Sequence, residues 1–318
     1  DALFEYFNGM TEETALSPGS TVTLTKYVQY IEKAGTYYVN ASSGLTASST
    51  LLKIQNTSSS DNIVINIQGN ITVNDSATII DVASPCNLTI NGNGKTIKNS
   101  GSSNVLIVET GTVHLKDCNF TSNTGVTLAQ DAGTLYIESG YYKRTGSSGQ
   151  VVSSTGGTLY IQGGTIENAG STGTSDTVAI GGKLYMTGGT IISPKSAAIR
   201  SKVSGASMSV TGGTIKNSLY GVYVQANSPA CTIGNVTFSG NTNDVYLGSG
   251  QKFTLTTDYA GANNIKVGVA DTVGDSVKRQ ITTTGTAQSM LAKVSSVNGS
   301  YSVNYDTSGK YLYLWKHS

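Results

Sequence analysis

The stretch Gly157-Thr-Leu-Tyr-Ile-Gln-Gly-Gly-Thr-Ile166 returns almost unchanged twice. It reappears as Gly182-Lys-Leu-Tyr-Met-Thr-Gly-Gly-Thr-Ile191 and as Ala206-Ser-Met-Ser-Val-Thr-Gly-Gly-Thr-Ile215. Weaker copies flank these three. Anchoring each copy on its first apolar residue gives Ile65, Leu88, Val113, Leu135, Leu159, Leu184, Met208, Cys231 and Phe253. The steps between anchors are 23, 25, 22, 24, 25, 24, 23 and 22 residues. A repeat this regular identifies a solenoid-like architecture, and its internal pattern decides which one.

Each unit alternates apolar and polar residues, as in Leu159-Tyr-Ile161, which is strand and not helix spacing. A second short strand follows the glycine pair and reaches Ile97, Phe120, Tyr142, Ile166, Ile191, Ile215 and Phe238 in successive units. A third falls at 105–108, 126–128, 150–152, 178–180, 221–224 and 245–247. Three strands per unit with glycine at the corners describe one winding of a parallel β-helix. Windings stack about 4.8 Å apart, the ordinary distance between strands. The nine anchors therefore span about 40 Å, and about ten windings are expected in all. The ends must differ, because terminal units cap the open core. Leu3, Phe4, Phe7 and Met10 lie at helical spacing, so residues 1–20 are expected to form an N-terminal helical cap. Residues 21–275 form the helix proper. Residues 276–318 close it with a hairpin of 301–305 and 311–315 around Asp306-Thr-Ser-Gly309.

Composition agrees. Glycine supplies 38 of 318 residues, about 12% against a usual ~7%. Charged residues are only 12%, about half the usual share. The net charge of +1 gives no footprint for nucleic acid. No apolar run approaches the ~18 residues of a transmembrane helix, so no membrane insertion is expected. Cys86, Cys118 and Cys231 are widely spaced and form no zinc-type pair. They read as small buried hydrophobes. The polar, uncharged surface suits an extracellular or wall-attached protein. Because the chain begins at Asp1, a processed piece of a longer chain is expected, bacterial in type and monomeric.

The repeats resemble those of right-handed parallel β-helices of the pectin-lyase-like superfamily, in the Thr-Gly-Gly-Thr-rich form of bacterial surface proteins. Ala34-Gly-Thr-Tyr-Tyr-Val39 and Leu88-Thr-Ile-Asn-Gly-Asn-Gly-Lys-Thr-Ile97 are similar to the first windings of such domains. The resemblance covers residues 30–270. It implies the fold, while its members range from polysaccharide lyases and glycoside hydrolases to tailspikes and adhesins. Polygalacturonase-like hydrolases carry clustered aspartates, Gly-His-Gly and Arg-Ile-Lys. Only His114 and His317 occur here, neither so flanked, and Asn241-Thr-Asn-Asp244 is only faintly similar to the aspartate motif. The 19 acidic residues are scattered, whereas calcium takes six to eight oxygen ligands. No cofactor is expected, and a calcium site is unsupported.

In a stacked repeat, residues one period apart lie side by side. The first outward row reads Thr89, His114, Tyr136, Tyr160, Tyr185, Ser209, Thr232. The next reads Asn91, Lys116, Glu138, Gln162, Thr187, Thr211. Four rings bordered by polar side chains suit a polysaccharide, whose sugars have apolar C–H faces and hydroxyl edges. The expected ligand-binding set is therefore His114, Tyr136, Tyr160 and Tyr185 with Lys116, Glu138 and Gln162. Aromatic ladders also stabilise sheets without any ligand, and both readings stay open. Tyr223 and Tyr246 make a shorter pair on another face. The Thr96, Thr165, Thr190, Thr214, Thr237 row reads as a structural ladder, interrupted at Asn119 and Tyr141. For an enzyme, the best grouping is His114, Lys116, Asp117 and Glu138, although Glu138 beside Lys116 reads more simply as a surface ion pair. The sequence thus points to a non-catalytic, adhesin-like surface domain binding a glycan or host surface. A polysaccharide lyase or hydrolase and a purely structural stalk are the alternatives.

Overall fold

A winding that turns three times must give each short strand a partner above and below, because three or four residues cannot hold a strand alone. The computed structural model describes residues 15–41, 44–46, 50–170, 175–225, 227, 230–261 and 264–316. In it the strands form three parallel sheets of 11, 12 and 8 members. In each, a strand pairs with the equivalent strand of the windings before and after. The result is a parallel β-helix of about nine turns, close to the ten expected. The expected helical cap at Leu3, Phe4, Phe7 and Met10 lies outside the described residues, as does His317.

The first sheet contains the repeat core. Thr134–Ile137, Thr158–Ile161, Lys183–Met186 and Ser207–Val210 stack in register, with Leu135, Leu159, Leu184 and Met208 aligned. One anchor shifts. Leu88 pairs with Ile63 and Ile90 with Ile65, so the aligned residue of the earlier winding is Ile63. The strand Asn62–Ile67 offers Ile63, Ile65 and Ile67 at alternate positions, and a shift of two keeps every side chain on its face. The Gly-Gly strands form the eight-membered sheet, with Phe120, Tyr142, Ile166, Ile191, Ile215 and Phe238 buried and aligned. In the third sheet two strands begin where the sequence placed their ends, at Leu128–Gln130 and Val152–Ser154. Ala197–Ser201 adds a strand that the pattern did not reveal.

The glycine pairs follow from the stacking. A Cβ on Gly188 would collide with the Gln162 carbonyl oxygen one winding back. Gly189 takes φ +77°, a left-handed conformation that costs other L-residues roughly 1–2 kcal/mol. The core is a column of Val, Ile and Leu, nearly all fully buried. At the exit of the second set of strands the inward row turns polar: Asn99, Ser122, Arg144 and Asn168 align and are buried. Arg144 donates to the carbonyl oxygens of Gly146 (2.8 Å), Thr124 (3.0 Å) and Gly125 (3.3 Å). A buried cation persists only where such partners offset its desolvation, and here it ties three loop carbonyls together.

Parallel pairing runs past residue 275. Val294–Ser296 extends the 12-stranded sheet beyond Ile265–Val269, preceded by a 3₁₀ helix at Gln288–Lys293. The hairpin of Tyr301–Asp306 and Tyr311–Lys316 is antiparallel, with Arg279–Gln280 on its far edge. Its Leu312 and Leu314 are buried against the end of the core, while Tyr311, Tyr313 and Trp315 alternate onto the other face.

All three cysteines are free and buried. Burial disfavours the thiolate and pushes Cys86 up to about 11 and Cys118 and Cys231 to about 12. The folded protein should therefore resist a thiol reagent at mildly alkaline pH and react at three sites once denatured; labelling followed by mass spectrometry checks this. Gly188→Ala should cost roughly 1–3 kcal/mol through overpacking against backbone, read as a lower urea midpoint and faster hydrogen exchange in the neighbouring windings.

Candidate functional site

Residues 112–116, 134–138, 158–162 and 183–187 place the candidate side chains on the outer face of the first sheet. Inward Leu and Ile side chains fix each strand, so the alternate positions must face out. Pairing joins Thr89, His114, Tyr136, Tyr160, Tyr185, Ser209 and Thr232 into one row. The sequence reading of this row therefore holds residue by residue in its register.

The ring geometry adds what register alone does not contain. His114 and Tyr136 have centroids 4.4 Å apart and planes within 3°. Tyr136 and Tyr160 stand at 4.5 Å and 6°, Tyr160 and Tyr185 at 5.1 Å and 16°. The rings are stacked face to face along the helix axis, so each inner ring has both faces covered by neighbours. Their edges and hydroxyls point outward, and none of the three tyrosine hydroxyls has a partner among the described residues. The ladder ends at Tyr185, which is 38% exposed. The next rung is the small Ser209, so the far face of Tyr185 is not covered by a ring.

At the other end Glu138 joins the two outward rows. Its Oε1 accepts the His114 Nδ1–H at 2.6 Å, a tautomer assigned from the carboxylate partner. Lys116 Nζ lies 3.6 Å from its other oxygen. Three of the four residues grouped for catalysis thus meet. Asp117 does not join them by any hydrogen bond or ion pair; it turns the corner with φ +50° and aims its carboxylate toward Gly94. Gln162 follows Tyr160 and Ile161 in the next winding, its N–H bonded to the Ile137 carbonyl. Asn241 and Asp244 are buried. Asn241 Nδ2 donates to Asp244 Oδ1 and to the Ile215 carbonyl, both at 3.0 Å, which makes this segment a structural turn. Among the described residues, no three His, Cys, Asp or Glu side chains gather as a metal-ligand set.

Two aromatic groups were missed or only half seen in the sequence. Tyr220 joins Tyr223 and Tyr246, with centroids 4.4–5.5 Å apart, and the Arg200 guanidinium sits 4.4 Å from the Tyr223 ring centre. Asp176, fully buried, holds Arg200 at 3.0 Å and Lys202 at 2.6 Å. On the hairpin, Tyr313 lies 6.2 Å from Tyr311 and 6.4 Å from Trp315, edge to face. Strand alternation alone signals that second group.

No known protein family, no curated protein and no solved structure matches the chain. Among the described residues, no helix is long and apolar enough to cross a membrane.

Aromatic pairs contribute about 0.5–1.5 kcal/mol beyond area burial. Tyr160→Ala removes two stacked pairs and Tyr185→Ala one. Tyr160→Ala should therefore be the more destabilising, by roughly 0.5–1.5 kcal/mol, as measured by urea denaturation.

Proposed function

We propose that the chain is a non-catalytic, adhesin-like β-helix domain, displayed outside the cell or on its wall, that holds a polysaccharide or host-surface glycan against the first sheet. The observation that carries this reading is the uncovered face of Tyr185 at the end of an in-register ring ladder. A pyranose ring there would extend the stack by one rung over Ser209, its C–H face against the phenol. Its hydroxyls would meet Thr187 and Thr211 on the neighbouring row, and further sugars of the chain, running back along the rows, would meet Gln162 and the outward edges of Tyr160 and Tyr136. Among the outward residues of Thr158–Ile161, Lys183–Met186 and Ser207–Val210 the one charge is Lys183, exposed beside Tyr185; the others are neutral, which suits a largely uncharged extended chain. The resemblance to bacterial surface-protein β-helices supports the same placement.

The stacking also favours a second reading, a structural stalk, because inner ring faces are already used within the protein. The lyase or hydrolase alternative would rest on Glu138, which His114 and Lys116 already engage. Release of unsaturated or reducing sugar ends, lost in Glu138→Gln, would support that alternative.

A glycan array separates the readings. Wild type should bind a polysaccharide, Tyr185→Ala should lose at least tenfold in affinity, and Tyr136→Ala, with its ring enclosed in the stack, should lose much less. Absence of binding across the array would favour the stalk, and equal loss in both variants would reject Tyr185 as the contact.

A further inference from the structure

The outer face of the 12-stranded sheet carries its own row: Arg200, Tyr223, Tyr246 and Gly268, set by consecutive strand pairings. Arg200 closes one end of this row, fixed by Asp176 and packed on Tyr223. At the other end the row loses its side chain at Gly268. A Cβ there would stand 3.0 Å from Tyr246 Cδ2 and collide with Asn243 Oδ1. The chain then returns as the last parallel strand, Val294–Ser296, and enters the hairpin at Tyr301. Between the missing rung and this returning segment lies a cavity of about 230 Å³, lined by Asn243, Tyr246, Asp271, Val297, Asn298 and Tyr301 beside Gly268.

We propose that this cavity is a second carbohydrate site, taking one pyranose ring of a neutral glycan. It is separate from the ladder on the first sheet and does not depend on it. Size sets the first limit: the space falls below the ~300–1,000 Å³ of sites for drug-sized ligands, which matches one ring and not a chain. The lining sets the second. Two phenol rings and Val297 offer apolar surface for a C–H face, while the Asn243 and Asn298 amides and the Asp271 carboxylate offer partners for hydroxyls. Charge sets the third. Arg279, the cation beside the site, is committed to Asp271 and to the carbonyls of Gln251 and Gly248. The site therefore presents no uncommitted positive group from Arg279 to an anionic ligand, and Asp271 disfavours one.

Saturation-transfer NMR with glucose, galactose, mannose and N-acetylglucosamine tests this. Wild type and Tyr185→Ala should both transfer saturation to at least one of these sugars. Gly268→Ser, whose Cβ would push Asn243 and Tyr246 out of the cavity wall, should abolish that signal. Val297→Arg acts as the second variant: Val297 is 41% exposed, so a long side chain can cross the mouth without entering the core, and an unchanged melting temperature verifies the fold. Loss in Val297→Arg with Tyr185→Ala unaffected supports the cavity. The proposal is overturned by no transfer from wild type, by transfer that persists in folded Val297→Arg, or by transfer lost only in Tyr185→Ala, which would leave the ladder as the single site.

Discussion

Backbone pairing between successive windings, repeated every ~4.8 Å, is the constraint on which the rest of the molecule depends. It makes nearly every residue the neighbour of its own counterpart. Leu159 meets Leu184, Tyr160 meets Tyr185, and Thr165 meets Thr190. Identical neutral side chains tolerate this, whereas identical charges placed opposite each other repel. The shortage of charged residues follows from that constraint. Some charges in the sheets meet opposites in the next winding, as Lys53 does Asp81 at 3.3 Å and Lys143 does Glu167 at 4.0 Å, and others stand between neutral residues, as Lys183 does between Thr158 and Ser207. The same pairing brings glycine corners so close that the carbonyl of one winding fills the space of the next residue's Cβ, as at Gly188.

The fold was legible because the spacing of the Thr-Gly-Gly-Thr copies is a direct measurement of winding length. Register was less secure where strands carry more than two inward residues. Ile63, Ile65 and Ile67 present three equivalent choices, and local alternation does not distinguish shifts of two. The extra strand at Ala197–Ser201 escaped notice because Ala-Ala-Ile-Arg-Ser has too little contrast between its faces: Ala197, Ala198, Ile199 and Ser201 are all buried. The final rung at Val294–Ser296 lacks the glycine punctuation altogether and is recognisable only from its partner across the sheet.

The candidate site was legible to the level of which residues stand together and no further. Counting gave the row of His114, Tyr136, Tyr160 and Tyr185, and pairing reproduces it. Side-chain torsions decide whether rings present faces or edges, and no one-dimensional pattern encodes them. The buried Arg144 is a comparable case. Arginine is rarely fully buried, and only the inward row of Asn99, Ser122 and Asn168 explains why its position faces polar loop backbone instead of the apolar column.

Stacking that stabilises a solenoid also determines where a ligand can add to it. Inside a ladder each ring satisfies its neighbours, and a sugar can compete for a ring face only by breaking an existing pair. At the end of a row that cost vanishes. The first sheet has such an end where Tyr185 gives way to Ser209. The 12-stranded sheet has one where Tyr246 gives way to Gly268. At Ser209 the small residue is as much a part of the proposed site as the ring, because it leaves room on the stack for a sugar; at Gly268 the Cβ position is taken by Asn243 Oδ1, and the proposed site is the cavity beside it. The enclosed Tyr136 and Tyr160 then act chiefly by holding Tyr185 at a fixed tilt, a preorganisation that lowers the ordering cost of binding. A repeat protein with perfect rows would be more stable and would offer no such position.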